Sequence, residues 1–195
     1  MSGAKNYKRE DLLDRAIELF RRQGYSATST AELVEELGVN RKSMYAEFGS
    51  KQDLFEAALA RYSEINLSRV LAPIEAPGAD ADAIRAAFRG YASASEGRFV
   101  GLGCLMANTA VERAALDPGS ARFVDAYLER LTVGFRRALE TARKRGGVRA
   151  GADLDDLAAF FAMSVIGISA LLRAKATPDQ IHAASRGVLR VLDTA

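Results

Sequence analysis

Residues 29–55 read STAELVEELGVNRKSMYAEFGSKQDLF, and this stretch holds three helix starts, each with its own capping signal. Ser29 stands three residues before Glu32, the spacing at which a hydroxyl and a carboxylate satisfy orphan N–H donors at a helix N-terminus. Ser50 stands three before Asp53, a shorter-armed form of the same box. Gly38 tolerates the left-handed conformation that closes a helix, and Asn40 caps the next one. Two short helices joined by a tight glycine-containing turn make a helix-turn-helix, whose second helix fits the DNA major groove. The stretch therefore predicts a DNA-binding module.

The flanking sequence extends the helical pattern in both directions. Leu12, Leu13, Ala16, Ile17, Leu19 and Phe20 recur at helical spacing, which predicts a helix from Arg9 to Gln23 stopped by Gly24. Its apolar face is expected to support Leu33, Val34, Leu37, Val39, Met44 and Phe48. Downstream, a fourth helix is expected from Ser50 to about Leu71, ending before Pro73, with a loop over Ala72–Asp80. Further helices are read at Ala81–Ala94, Leu105–Ala115, Ala121–Arg145, Asp155–Ala174 and Asp179–Leu192. The bend Glu96–Gly103 and the turn Asp117-Pro118-Gly119 act as stops. The fold class is all-α, with about nine helices.

Composition agrees with a soluble globular chain. Of 195 residues, 49% are hydrophobic and 27% charged, enough for a sizeable core. The start MSGAKNYKRE lacks the apolar core of a signal peptide, and no stretch is read as reaching the ~20 residues of a membrane span. One cysteine cannot form an intramolecular disulfide, so a cytoplasmic protein without membrane attachment is expected. Net charge is only +2, and residues 1–51 hold nine Lys or Arg against eight Asp or Glu. DNA affinity must then come from where the charges sit rather than from their sum.

The run Gly38-Val39-Asn40-Arg41-Lys42-Ser43-Met44-Tyr45, followed by Phe48, Ser50, Lys51 and Leu54, resembles the recognition helix and fourth-helix start of the TetR/AcrR family of transcriptional regulators. The resemblance covers the first quarter to third of the chain. It implies a DNA-binding head over residues 6–66 and a ligand-binding and dimerisation body over 67–195. It also implies a homodimeric repressor, released from a palindromic double-stranded DNA operator by an effector, which the aromatic and thioether residues of the middle helices make a small hydrophobic or amphipathic molecule. The chain departs from the family where Lys42 replaces a common Gly or Pro, and where Glu47 replaces a common His or aromatic residue.

Arg41 and Lys42 are the first two residues of the recognition helix, where Arg or Lys reaches guanine O6 and N7; the alternative is a solvated basic pair. Lys42 also suits a phosphate contact. Tyr45 is expected to place its hydroxyl near a phosphate, or else to cover core. Lys51 lies in the first turn of a helix, where the dipole favours an anion, so a phosphate partner accounts for it. Thr30 and Ser43 are hydroxyl donors at matching positions. Glu47 is read as part of a solvated face, with a contact to cytosine N4 as the alternative.

In the body, Phe88, Tyr91, Phe99, Cys104, Met106, Tyr127, Phe135 and Met163 are candidate pocket residues, with Asn108 or Thr109 as polar handles. Cys104 has two readings, a small buried hydrophobe or a thiol sensor of electrophiles and oxidants. Phe161, Val165, Ile168 and Leu172, with Val188 and Leu192 of the last helix, are expected at a dimer interface, the alternative being a monomer's core. His182 is the sole histidine and has no Cys or His at ligand spacing, so neither metal nor cofactor is expected. With no catalytic constellation an enzyme is disfavoured. The remaining rival is a helical protein-interaction module that does not bind DNA.

Overall fold

Glycine stops and polar caps place the first helices. The computed structural model describes residues 7–97, 100–112 and 117–194. Helix α1 (Arg9–Gln23) closes at Gly24, whose φ of 86° and ψ of 172° suit only a residue without Cβ. Helix α2 (Thr30–Leu37) opens with the full reciprocal box: Ser29 Oγ accepts from Glu32 N at 3.2 Å, and the Glu32 carboxylate accepts from Ser29 N at 2.7 Å. Gly38 follows in the left-handed region, and Asn40 Oδ1 accepts from Ser43 N at 2.8 Å to start α3 (Arg41–Phe48).

Helix α4 departs from expectation at both ends. Ser50 Oγ accepts from Asp53 N at 3.1 Å, but the shorter Asp53 arm takes the Ser50 hydroxyl at 2.6 Å instead of reaching back to the backbone. At its other end the helix does not stop before Pro73. It runs through Lys51–Tyr62, a π-helical turn Ser63–Leu67 and Ser68–Glu75 as one rod, with Pro73 inside the last turn. An interior proline costs about 3 kcal/mol. Leu71 and Ile74 on either side of it are buried, at about 1.5–3 kcal/mol each, which offsets that cost.

Five helices follow: α5 (Ala81–Ala94), α6 (Leu105–Glu112), α7 (Pro118–Lys144), α8 (Leu154–Arg173) and α9 (Pro178–Thr194). Asp117-Pro118-Gly119, read as a stop, is the α7 start. Asp117 Oδ2 accepts from Ser120 N at 3.0 Å and Pro118 sits at the first helical position, where its missing N–H has no intrahelical use. The described residues thus form nine helices and no strand.

Around α1 and α4 the head core joins Phe20, Phe55, Leu33, Leu37, Met44 and Phe48, all buried. In the body, α7 lies along α8, and the rings of Phe88, Phe135 and Phe161 form a triangle with centroids 5.7–6.0 Å apart. This corrects the expected dimer set. Phe161, Val165, Ile168, Leu172 and Leu192 are buried within the protomer, and half-buried Val188 packs against the same core. The other side of α8 is the exposed one: Phe160 is 40%, Met163 51% and Leu171 37% accessible. By length and composition α8 also passes as a helix able to cross a membrane, with mean hydropathy 1.7 over 18 of its residues, a property that the core helix of a folded protein shares. A helix apolar all round does not reveal from sequence which stripe its own protomer covers.

Candidate nucleic-acid interface

The short helix α2 packs on α1 and on α3, and α3 packs on α4, which brings Thr30, Arg41 and Tyr45 together. Arg41 and Lys42 are exposed in the first turn of α3, which Asn40 caps. Tyr45, one turn on, is half-buried, and its hydroxyl lies 3.4 Å from Thr30 Oγ1 at the start of α2. The Arg41 guanidinium sits 5.6 Å from the Tyr45 ring centre. The Thr30 hydrogen bond, then the hydrogen bond and charge of Arg41, hold the Tyr45 phenol below the ordinary tyrosine range. Thr30, Arg41 and Tyr45 therefore form one interacting group, while Ser43 stands beside it with its backbone N–H used for the cap.

Lys51 approaches from α4. Its Nζ lies 4.1 Å from the Tyr25 ring centre, within cation–π range, and its charge contributes to lowering the Glu32 carboxyl. The larger causes there are the Ser29 N–H and hydroxyl of the capping box. Lys51 thus stands at the α4 N-terminus, on an aromatic platform supplied by the α1–α2 turn. Glu47 is not on a solvated face. Its side chain is only 10% exposed and meets Arg9 Nε at 3.5 Å, while the Arg9 guanidinium lies 5.0 Å from the Phe48 ring centre. The carboxylate ties α3 to the start of α1.

Body residues hold the other end of α1. Buried Arg21 donates Nε and Nη2 to Gly103 O at 3.1 and 2.7 Å, and Arg173 Nη1 donates to Arg21 O at 3.1 Å. The Glu112 carboxylate accepts from Ser26 N at 2.8 Å and Tyr25 N at 3.2 Å. Sequence reading missed these joints because partners such as Glu112 and Ser26 lie 86 residues apart. One signal was present. An acid in the last turn of a helix opposes the dipole, so Glu112 needed a donor from elsewhere.

Within the body, Phe88, Met106, Tyr127 and Phe135 are buried in the core, and half-buried Tyr91 and Cys104 pack against it. Cys104 Sγ lies 3.9 Å from Tyr127 Oη. Burial first, then the nearby Cys104 sulfur, pushes the Tyr62, Tyr91 and Tyr127 phenols up. Met163 does not belong to this group, since it projects from the exposed side of α8. Phe99 lies outside the described residues. The proposed handles are spent on backbone carbonyls: Asn108 Nδ2 donates to Leu102 O at 2.9 Å and Thr109 Oγ1 to Leu105 O at 2.8 Å. A cleft of about 570 Å³ opens instead at the seam of head and body, where Gln23, Ser26, Asn108, Val111, Glu112 and Arg173 line it. Among the described residues no cluster of His, Cys, Asp or Glu could hold a metal ion.

The comparisons settle the family. The model for bacterial regulatory proteins of the tetR family matches residues 12–58, and the model for the tetracyclin repressor-like C-terminal domain matches residues 81–188. The chain belongs to the TetR family. It is 30% identical over 194 residues to the uncharacterized HTH-type transcriptional regulator YezE of Bacillus subtilis, covering 99% of this chain and 100% of that one. It is also 30% identical over 195 residues to the HTH-type transcriptional repressor ComR of Escherichia coli, covering 96% and 90%. In fold it matches a cysteine-substituted form of the TetR family regulator CifR complexed with 26-bp double-strand operator DNA. That match has a TM-score of 0.83 at 24% identity, over 96% of this chain and 98% of that one. A TetR-family chain from Rhodobacter sphaeroides gives a TM-score of 0.83 at 23% identity, over 93% and 96%. This TetR-family protein is a DNA-binding transcriptional regulator and not an enzyme.

Proposed function

We propose that this protein is a cytoplasmic homodimeric repressor, released from a palindromic operator by a small hydrophobic or amphipathic effector. Residues 6–66 serve as its DNA-binding head and 67–195 as its ligand-binding and dimerisation body. The observation that carries this reading is the second apolar face of α8. Phe160, Met163 and Leu171 stand exposed at helical spacing around Gly167, where an added Cβ would meet nothing within 4 Å. Gly187 on α9 is equally open. An exposed apolar helix face with glycine at its centre suits close approach by the same face of a second copy, a twofold contact. Such a dimer presents two α3 helices to half-sites roughly 34–36 Å apart.

In this reading Arg41 and Lys42 meet base edges or phosphates, and Thr30, Ser43, Tyr45 and Lys51 contact the backbone of DNA. Repression is supported by ComR, which is named a repressor and is similar along nearly its whole length. The effector's place is the interior bounded by Phe88, Tyr91, Met106, Tyr127 and Phe135, with three buried phenol hydroxyls and the Cys104 thiol as its polar groups. An effector releases DNA only if it binds the two conformations of the dimer unequally. Sedimentation of the protein alone and with footprinted operator DNA tests the whole proposal. A monomer at micromolar concentration, or one protomer per operator, overturns it.

The thiol-sensor reading rests on the 3.9 Å approach of Cys104 to Tyr127 in the same interior. If diamide or N-ethylmaleimide releases operator from the wild type but not from Cys104→Ser, the thiol is the switch. Equal behaviour of the two proteins leaves Cys104 as packing.

A further inference from the structure

Glu112 is the last described residue of α6, a body helix, and its carboxylate closes on the head. Its two oxygens accept from the N–H groups of Tyr25 and Ser26, the turn between α1 and α2. The fit is close: a Cβ on Gly24 would lie 2.4 Å from Glu112 Oε2, so the turn has room for this carboxylate only because residue 24 is glycine. Charge-assisted bonds to two successive backbone donors fix both the position and the orientation of a turn.

That turn carries Tyr25, whose ring faces two ways. One side packs on the head core, with centroids 4.9 Å from Phe55 and 6.2 Å from Phe20. The ring also receives the Lys51 ammonium at 4.1 Å. Four residues beyond Tyr25 the chain reaches Ser29, the cap of α2, and then Thr30 beside Tyr45. One body side chain therefore bears on a turn that leads to Thr30 and carries the platform of Lys51.

We propose that Glu112 is a positioning residue for DNA binding, holding the Tyr25–Ser26 turn so that Lys51 and the start of α2 face the DNA backbone together. This rests on the assignment of Lys51 to a phosphate contact under the proposed function. Through Glu112, the helix that begins beside Cys104 and Tyr127 in the body interior reaches the DNA-reading head. The head keeps its other joints without it. Gln52 Nε2 donates to Asp117 Oδ2 at 2.8 Å, Arg122 Nη2 to Glu56 Oε2 at 2.6 Å, and Arg21 remains on Gly103. Losing Glu112 takes two acceptors from the turn, which then rests on Thr28 Oγ1 donating to Gly24 O at 2.5 Å and on the packing of Tyr25, and leaves α4 seated.

The test compares full-length wild type, Glu112→Ala, Glu112→Gln, Lys51→Ala and the Glu112→Ala/Lys51→Ala double variant, by operator titration across a salt series and by thermal unfolding. Glu112→Ala is expected to weaken operator binding about tenfold, the scale of one charge-assisted hydrogen bond, with the unfolding midpoint nearly kept. Glu112→Gln, which keeps one acceptor but not the charge, should recover part of that loss. On the Lys51→Ala background the Glu112→Ala effect should shrink to a few fold or less, because residues acting as a unit are not additive. Unchanged operator affinity in both Glu112 variants overturns the proposal. So does a loss that is fully additive with Lys51→Ala, or one that follows the unfolding midpoint. Lys51→Ala alone tests the prior assignment: if it binds like wild type, the phosphate contact fails, whatever Glu112 does.

Discussion

Between Arg9 and Lys51 the chain marks α2, α3 and α4 with a side-chain cap, whereas in the body the packing of α8 decides what its residues do. Ser29, Asn40 and Ser50 each accept a backbone N–H from a residue three further on. The head's exposed cations and hydroxyls then project from helices whose starts are set locally. In α8 the same apolar alphabet serves two purposes: Phe161 closes the aromatic triangle of the core, while its neighbour Phe160 stands 40% exposed. Local hydrogen bonds can be read along the chain, but the sorting of two apolar faces depends on which other helices arrive.

The sharpest break of that comparison is within α8. Phe161→Ala should cost about 3–5 kcal/mol of folding stability, since it empties a buried ring site. Met163→Glu should leave folding stability nearly unchanged and shift the protein toward monomer. Denaturant unfolding together with sedimentation reads both, and a folded dimer of Met163→Glu would return α8's outer face to plain surface.

In the head, Arg41→Ala should lose about 1–3 kcal/mol of discrimination at one base position per half-site while other positions keep theirs. Lys51→Ala should weaken all sequences alike and lower the salt slope by about 0.9 per half-site. Binding measured against a panel of single-base operator variants separates the two. If Arg41→Ala weakens every variant equally, Arg41 is a backbone contact.

Caps carry the smaller effects. Ser29→Ala should cost about 0.5–2 kcal/mol, most simply seen as a lowered unfolding midpoint. The Glu32 carboxyl is held below its ordinary value by the Ser29 N–H, so the folded state favours its ionised form. The carboxylate's share of the box is therefore present above the unfolded-state value near 4.3 and is lost as pH falls through the lower folded value. Wild type and Glu32→Gln followed by unfolding between pH 7 and 3 should converge at the acid end. A constant gap across that range would detach the shift from stability.

Much of the head was legible: α1 from Arg9 to Gln23, the Ser29–Glu32 box and the Gly38 turn all depend on residues near one another. Glu47 was misread because its partner Arg9 belongs to another helix. In the body, Pro73 and Pro118 were misread for a related reason. Proline restricts its own backbone but does not say whether burial nearby, or an Asp cap before it, keeps a helix going.

By itself the sequence determined the helical class and the helix-turn-helix, because caps, glycine turns and apolar periodicity act within a few residues. Only the tertiary structure decided that Phe161, Val165, Ile168 and Leu172 turn inward while Phe160, Met163 and Leu171 turn out. It also decided that Glu112 of the body holds the turn under Lys51. Those outcomes depend on contacts between segments far apart in the chain, and burial and pairing at such distances leave no periodic trace in the residues that make them.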